Sequence, residues 1–292
     1  MSALAGSEPL IDVHAHFYHS GAGRSDWSEV NDARFRAGDS IGIRYHVASV
    51  LGTYGFASPT YFPSPADVEV GNDVMLEIAA REPQRTRMYV TVNPNYADHA
   101  LEEIDRCVSY GAIGVKLLAS RRADDALLDA IADLAGARGL PILHHIWQHR
   151  RREWPSQEIS DGADLARLAA RHPRTSFILA HIGGGGDYAH TFAAVSDVPN
   201  IFPDLSGSGV DRGMLDDALI AIGPYRLLWA SDITMETGLA KLRALQVIGL
   251  RAQEMAAVRW KNAARIFPEG AFPMEGVSDE SSRRQPGGAT PV

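Results

Sequence analysis

Two histidines, His14 and His16, stand two residues apart at the end of the apolar run Leu10–Phe17. In a strand, residues i and i+2 project from the same face, so both imidazoles can be aimed at one point, as a divalent metal requires. Among 11 histidines a single pair of this kind is a weak signal. It gains weight because later apolar runs also end in histidine or aspartate: His144 and His145, His181, Asp204 and Asp232. Neutral imidazoles with a carboxylate suit zinc or another first-row divalent ion. Three or four such ligands with one position left for water would make a catalytic site, because bound water then reaches a pKa of roughly 7.

For these residues to meet, the chain must bring the ends of several strands to one place. Strand-like runs are read at residues 10–17, 45–52, 87–92, 112–118, 140–146, 176–182, 200–205 and 226–233. Between them lie amphipathic helical segments at 73–81, 97–110, 124–138, 163–171 and 212–222. In the third of these, Leu127, Leu128, Ile131 and Leu134 repeat at three and four. Strands alternating with helices imply βαβ units and a parallel sheet. Nearly continuous apolar runs such as Phe177-Ile178-Leu179-Ala180 suit strands covered on both faces. Eight units predict a (β/α)8 TIM barrel; a doubly wound open sheet is the runner-up. In a barrel the strand C-termini share one rim, where catalytic residues sit, so side chains two hundred positions apart can share one ion.

The barrel is read as one domain over residues 8–270. Two segments depart from plain alternation. Residues 18–44 form a polar, helix-prone insertion after the first strand, and residues 52–66 a Pro/Gly/aromatic loop after the second; Tyr54, within that loop, is a candidate substrate contact. Residues 271–292 are read as a disordered tail, rich toward the end in Ser, Arg, Gly and Pro. A formal net charge of -8 argues against nucleic acid or an anionic membrane as the main partner. The single cysteine, Cys107, excludes an internal disulfide and reads as a buried thiol. No secretion signal or membrane span is read, so a cytoplasmic protein acting on a small molecule is expected.

These residues, in this order, resemble the amidohydrolase-related group of the amidohydrolase superfamily, which contains metal-dependent hydrolases and decarboxylases. The resemblance rests on Ile11-Asp12-Val13-His14-Ala15-His16, Gly114-Val115-Lys116-Leu117, Leu140-Pro141-Ile142-Leu143-His144-His145, Leu179-Ala180-His181-Ile182, Asp204-Leu205-Ser206 and Leu228-Trp229-Ala230-Ser231-Asp232. The stretch 261–267 resembles the group's closing helix. The resemblance implies that His14, His16, a strand-five histidine and Asp232 bind the metal, zinc first and manganese as the alternative. It implies Asp232 as general base and His181 as the group that polarises the substrate.

Adjacent His144 and His145 must point to opposite sides of a regular strand. Counting four from Pro141, as the group's pattern does, favours His145 as the ligand, with His144 turned outward or lining part of the pocket as a substrate contact. Lys116 is read as a pocket cation facing an anionic substrate, with carboxylation to bridge two metals and structural pairing as alternatives. Asp204 is expected to orient a ligand or a neighbouring loop. The proline that usually follows Ser-Asp in the group is replaced by Ile233. Dimers or tetramers are common among such relatives. The leading expectation is a hydrolase that turns activated water on an ester, lactone or amide, its substrate a carboxylate or lactone. The alternative is a non-oxidative decarboxylase of an aromatic or unsaturated acid, set second because such enzymes tend to be longer. A barrel without activity, serving as a scaffold, is the reading from another class.

Overall fold

The computed structural model describes residues 8–20, 25–50, 62–147, 157–182, 187–207, 209, 212–233 and 235–274. Seven parallel strands form one sheet in sequence order: β1 Leu10–Phe17, β2 Ile43–Val50, β3 Thr86–Val92, β4 Gly114–Leu117, β5 Ile142–His144, β6 Phe177–Leu179 and β7 Ile201–Pro203. Helices return the chain after each: α1 Trp27–Ile41, α2 Pro65–Arg81, α3 Ala97–Ser109, α4 Asp129–Ala137, α5 Gly162–Arg171, α6 Tyr188–Val195 and α7 Arg212–Ala221. Then come α8 Met235–Ile248, α9 Ala252–Ala256, a π-helical turn Ala257–Lys261 and α10 Asn262–Ile266. The architecture is that of a TIM barrel.

Local sequence chemistry sets the element ends. Ser64 and Asp67 form a reciprocal capping box at α2, with Pro65 at its first turn. Asp161 and Asp164 do the same for α5. Gly42 ends α1 in the left-handed region, φ 84°, which glycine adopts without strain.

Each strand faces two cores. Ile11, Val13, Tyr45, Val47, Tyr89, Leu143, Ile178, Ala180, Leu228 and Ala230 fill the barrel interior. Leu10, Phe17, Val115, Leu117, Ile142, Leu179 and their neighbours pack outward against the helices. Cys107 belongs to that outer layer, fully buried, and burial pushes its thiol up to about 12, as suits an inert core residue.

The eighth strand departs from expectation. Residues 226–233 make two isolated bridges, Asp204 with Leu228 and Ala15 with Asp232, in place of a full ladder. The segment still closes the ring. Leu228 donates its N–H to Pro203 O, and Leu205 donates to Leu228 O. On the other side Val13 donates to Trp229 O, and Asp232 to His14 O. The N–H of Trp229 goes instead to Val258 O in the π-helical turn, so the segment divides its bonds among three neighbours.

The packed body also runs past residue 270. Ala271 and Phe272 are buried in the inner core, where Phe272 lies 5.4 Å from the Tyr45 ring and 5.3 Å from Phe267. Tyr45 donates its hydroxyl to Pro273 O, and Arg87 Nε donates to Ala271 O. These residues plug the barrel where the strands begin, which the aperiodic pattern after Pro268 gave no reason to expect. The rest of the expected tail, from 275, lies outside the described residues. Phe272→Ala should cost about 3 kcal/mol, the low end for a buried aromatic, read as a lower urea midpoint. An unchanged midpoint would return residue 272 to the tail.

Candidate metal centre

At the opposite end of the barrel the strand C-termini bring the expected residues together. His14 and His16 come from β1, and a bulge is what aims both inward. Pairing with β2 slips between Asp12 and Ala15, and an extra residue of this kind shifts the facing of everything after it. Ile11 and Val13 therefore fill the interior while Ala15 and Phe17 face the helices. His181 and Asp232 owe their aim to left-handed backbone, φ 64° and 58°. They are the two non-glycine residues with positive φ among those described. Conformations that cost energy persist where the surroundings over-determine them, commonly at functional sites.

The polar atoms converge. His14 Nε2 lies 3.2 Å from His16 Nε2 and 3.7 Å from Asp232 Oδ1, which is itself 3.2 Å from His16 Nε2. His181 Nδ1 is 3.2 Å from Asp232 Oδ2. His14, His181 and Asp232 each offer a ligand atom within 4.8 Å of the other two. His145 is reached through His181, whose Nε2 is 3.0 Å from His145 Nδ1.

Their outer partners fix the rings. Asp204 Oδ2 can only accept, so His14 donates Nδ1–H to it at 2.9 Å and its Nε2 lone pair turns into the mouth. Asp204 Oδ1 accepts from the N–H of His181 at 3.1 Å and from the N–H of Ser206 at 2.8 Å. The hydroxyl of Ser49 is 3.1 Å from His16 Nδ1. Asp12 Oδ2 accepts from Ser231 Oγ at 2.6 Å and lies 3.1 Å from His46 Nδ1. Asp204 thus touches His14, His181 and Ser206 at once, as a residue that orients them would.

Burial leaves the imidazoles of His14, His16 and His145 neutral beside ionised carboxylates. Burial, then Lys116, pushes His14 down to about 3. Burial likewise lowers His16 and, helped by His181 and Lys116, takes His145 well below its ordinary value. Burial alone would raise Asp232, but His181, His16 and His14 outweigh it and hold the carboxyl well below the usual range. Asp204, against the same burial, is kept at about 2 by His14. Lys116 Nζ sits 3.1 Å from His14 Nε2 with its ammonium pushed down to about 8 by burial, so it stays largely cationic at neutral pH. Oriented imidazole nitrogens and an ionised carboxylate in one buried space are the donor set that zinc or manganese takes. The residues fit such an ion.

Two expected substrate contacts fare differently. Tyr54 lies outside the described residues. His144 does not line the mouth. Alternation along β5 puts Leu143 in the interior, and Ile142 and Ile146 in the outer layer; His144 shares their side, fully buried, its Nδ1 2.9 Å from His145 O. Two further buried histidines are held by carboxylates: His46 on Asp12, and His172 between Asp129 and Asp133 at 2.8 and 2.9 Å. Arg34, Ser49, Ser206 and Trp147 also stand at the site, with no role expected of them from the sequence. The Trp147 ring lies 6.1 Å from that of His181, nearly parallel, and 5.2 Å from that of His145. An aromatic just past a ligand-bearing strand was the available signal for it; Arg34, within a polar helix, gave none.

The family model described as amidohydrolase matches residues 11–268. The chain belongs to the amidohydrolase family. No curated protein matches it. Among solved structures, this amidohydrolase is similar to 2,6-dihydroxybenzoate decarboxylase from Rhizobium, with TM-score 0.69 and 18% identity over 89% of this chain and 98% of that one. It is similar also to dihydroxybenzoic acid decarboxylase from Polaromonas sp. JS666, solved with manganese and 2-nitroresorcinol, at TM-score 0.66 and 18% identity over 89% and 96%. A third is 5-carboxyvanillate decarboxylase from Sphingomonas paucimobilis, at TM-score 0.65 and 18% identity over 89% and 98%. Likeness at this identity speaks for the shared barrel. No helix among the described residues is long and apolar enough to cross a membrane.

If Asp204 orients His14, Asp204→Asn should weaken zinc or manganese binding about 10–100-fold with the fold intact, measured by titration against a competing chelator. Unaltered affinity would remove that role.

Proposed function

We propose that this amidohydrolase is a metal-dependent, non-oxidative decarboxylase of an aromatic or unsaturated carboxylic acid. The observation that carries the reading is the pairing, across the imidazole cluster, of a buried ammonium with a part-buried, ionised carboxylate. Lys116 offers a counter-charge for a substrate carboxylate, and Asp232 a place to keep a proton. Trp147 beside His181 suits a flat ring. The reading is supported too by the decarboxylases among the similar structures. Their fold is matched over 98% of the Rhizobium chain, so the expectation that such enzymes are longer does not count against it. The family's description favours the second reading, a hydrolase, in which the same carboxylate would take a proton from water.

In this proposal His14, His16 and Asp232 hold the ion, zinc or manganese, with a further ligand from the His145–His181 pair. When bound, the ion supplies positive charge that draws a carboxylate and a neighbouring hydroxyl into the mouth and lowers the cost of ionising that hydroxyl. Asp232, ionised at rest, accepts the hydroxyl proton. It then gives that proton to the ring carbon that bears the carboxylate. The bond from that carbon to the carboxylate breaks, carbon dioxide leaves, and the electron pair returns to the ring. The product oxygen regains a proton from solvent. Lys116 holds the carboxylate in place until the bond breaks, and Trp147 covers the ring against water.

Metal-loaded protein given a panel of hydroxybenzoates and lactones should release carbon dioxide from a hydroxybenzoate. Asp232→Asn should lower that turnover by about 10²–10⁴-fold without loss of folded protein. Acid release from a lactone, with no carbon dioxide from any aromatic acid, would replace the decarboxylase with the hydrolase.

A further inference from the structure

Arg34 is a buried cation that the scheme above does not use. It lies on α1 and is 9% exposed. Its Nη1 donates to Ser231 Oγ at 2.8 Å and stands 3.6 Å from Asp12 Oδ2. Its Nη2 donates to two backbone carbonyls, those of Asp232 and, at 2.9 Å, Ile233. The peptide it grips is the one that carries Asp232 at φ 58°. That turn has left the barrel ladder, so its carbonyls need partners from elsewhere.

The helix that bears Arg34 is itself tied to β1. Asn31 donates its side-chain amide to Tyr18 O at 2.8 Å and accepts from the N–H of Tyr18 at 2.9 Å. One helix therefore fastens the exits of the barrel's first and last elements, which present His16 and Asp232 to each other at 3.2 Å. If Arg34 only balanced the charge of Asp12, it would have no need of the three shorter bonds to residues 231–233. The planar fork reaches Ser231 with one nitrogen and both carbonyls with the other, a span that the single nitrogen of an ammonium does not have.

We infer that Arg34 is a positioning residue, its guanidinium holding the left-handed turn at Asp232 and thereby setting where the carboxylate stands relative to His16 and His181. The inference rests on the reading of Asp232 as ion ligand and proton carrier. Two variants test it. Arg34→Lys keeps the charge beside Asp12 but not the fork, and Arg34→Met keeps the stem and removes the donors. Cobalt(II) is titrated into full-length wild type and both variants, and its visible absorption recorded, with urea midpoints measured alongside. The folded Lys variant should bind cobalt about 10-fold more weakly and the Met variant about 100-fold. Both should show an altered cobalt band, and kcat should fall while KM stays within about 2-fold.

Wild-type affinity and spectrum in the folded variants, even with a lower urea midpoint, would overturn the inference. If the Met variant does not fold, the Lys variant decides; failure of both to fold would also overturn it, since a positioning role leaves the Lys variant folded. Wild type that binds cobalt but decarboxylates nothing, with affinity falling in the variants, sinks the decarboxylase and leaves Arg34 in place. Active wild type with spectroscopically unchanged variants does the reverse. Wild type that takes up no cobalt overturns both.

Discussion

Burial without protonation is the constraint on which the centre depends. Three of its imidazoles, those of His14, His16 and His145, are lowered first by loss of water, and a histidine can donate a lone pair only while neutral. The carboxylates would by burial alone take up protons, yet the imidazoles beside them keep Asp204 and Asp232 ionised. Burial thus keeps the imidazoles neutral against the pull of the carboxylates, while the imidazoles keep the carboxylates ionised. The hydrogen bond from His14 Nδ1 to Asp204 then decides which nitrogen faces inward.

This arrangement can be kept only if the first and last elements of the barrel meet. Asp232 donates its N–H to His14 O, and Val13 donates to Trp229 O, so ring closure and site assembly use the same few bonds. The closing segment makes only bridges to its neighbours. Behind it, Asp12, Ser231, His46 and Arg34 form a buried polar network that does for this seam what ladder bonds do for the other strands. Buried polar groups are costly unless satisfied, and here the satisfied network lies directly against the residues that must stay aligned.

Much of this was legible in the sequence because periodicity reports burial directly. The first strand, residues 10–17, has the bounds expected of it, and α3 and α5 start within one residue of expectation. The histidines and aspartates at strand ends were legible because a barrel gathers such ends on one rim. What escaped was set by backbone geometry or by distant partners. No residue type announces the bulge after Asp12 or the left-handed φ of His181 and Asp232, since neither is glycine. His144 was ambiguous because its neighbour is also histidine, and only strand facing separates them. Phe272 looked like tail because a plug needs no period. Arg34 was invisible because its partners are carbonyls some two hundred residues away, and any residue supplies a carbonyl.

The central claim is that His14, His16 and Asp232 share one divalent ion. Anomalous X-ray scattering from crystals of the zinc- or manganese-loaded protein, recorded at the metal's absorption edge, tests it most directly. The account predicts one strong peak per chain at about 2.0–2.2 Å from a nitrogen of each histidine and an oxygen of Asp232. A peak bound elsewhere, or none in protein shown to be folded and saturated with metal, would contradict it.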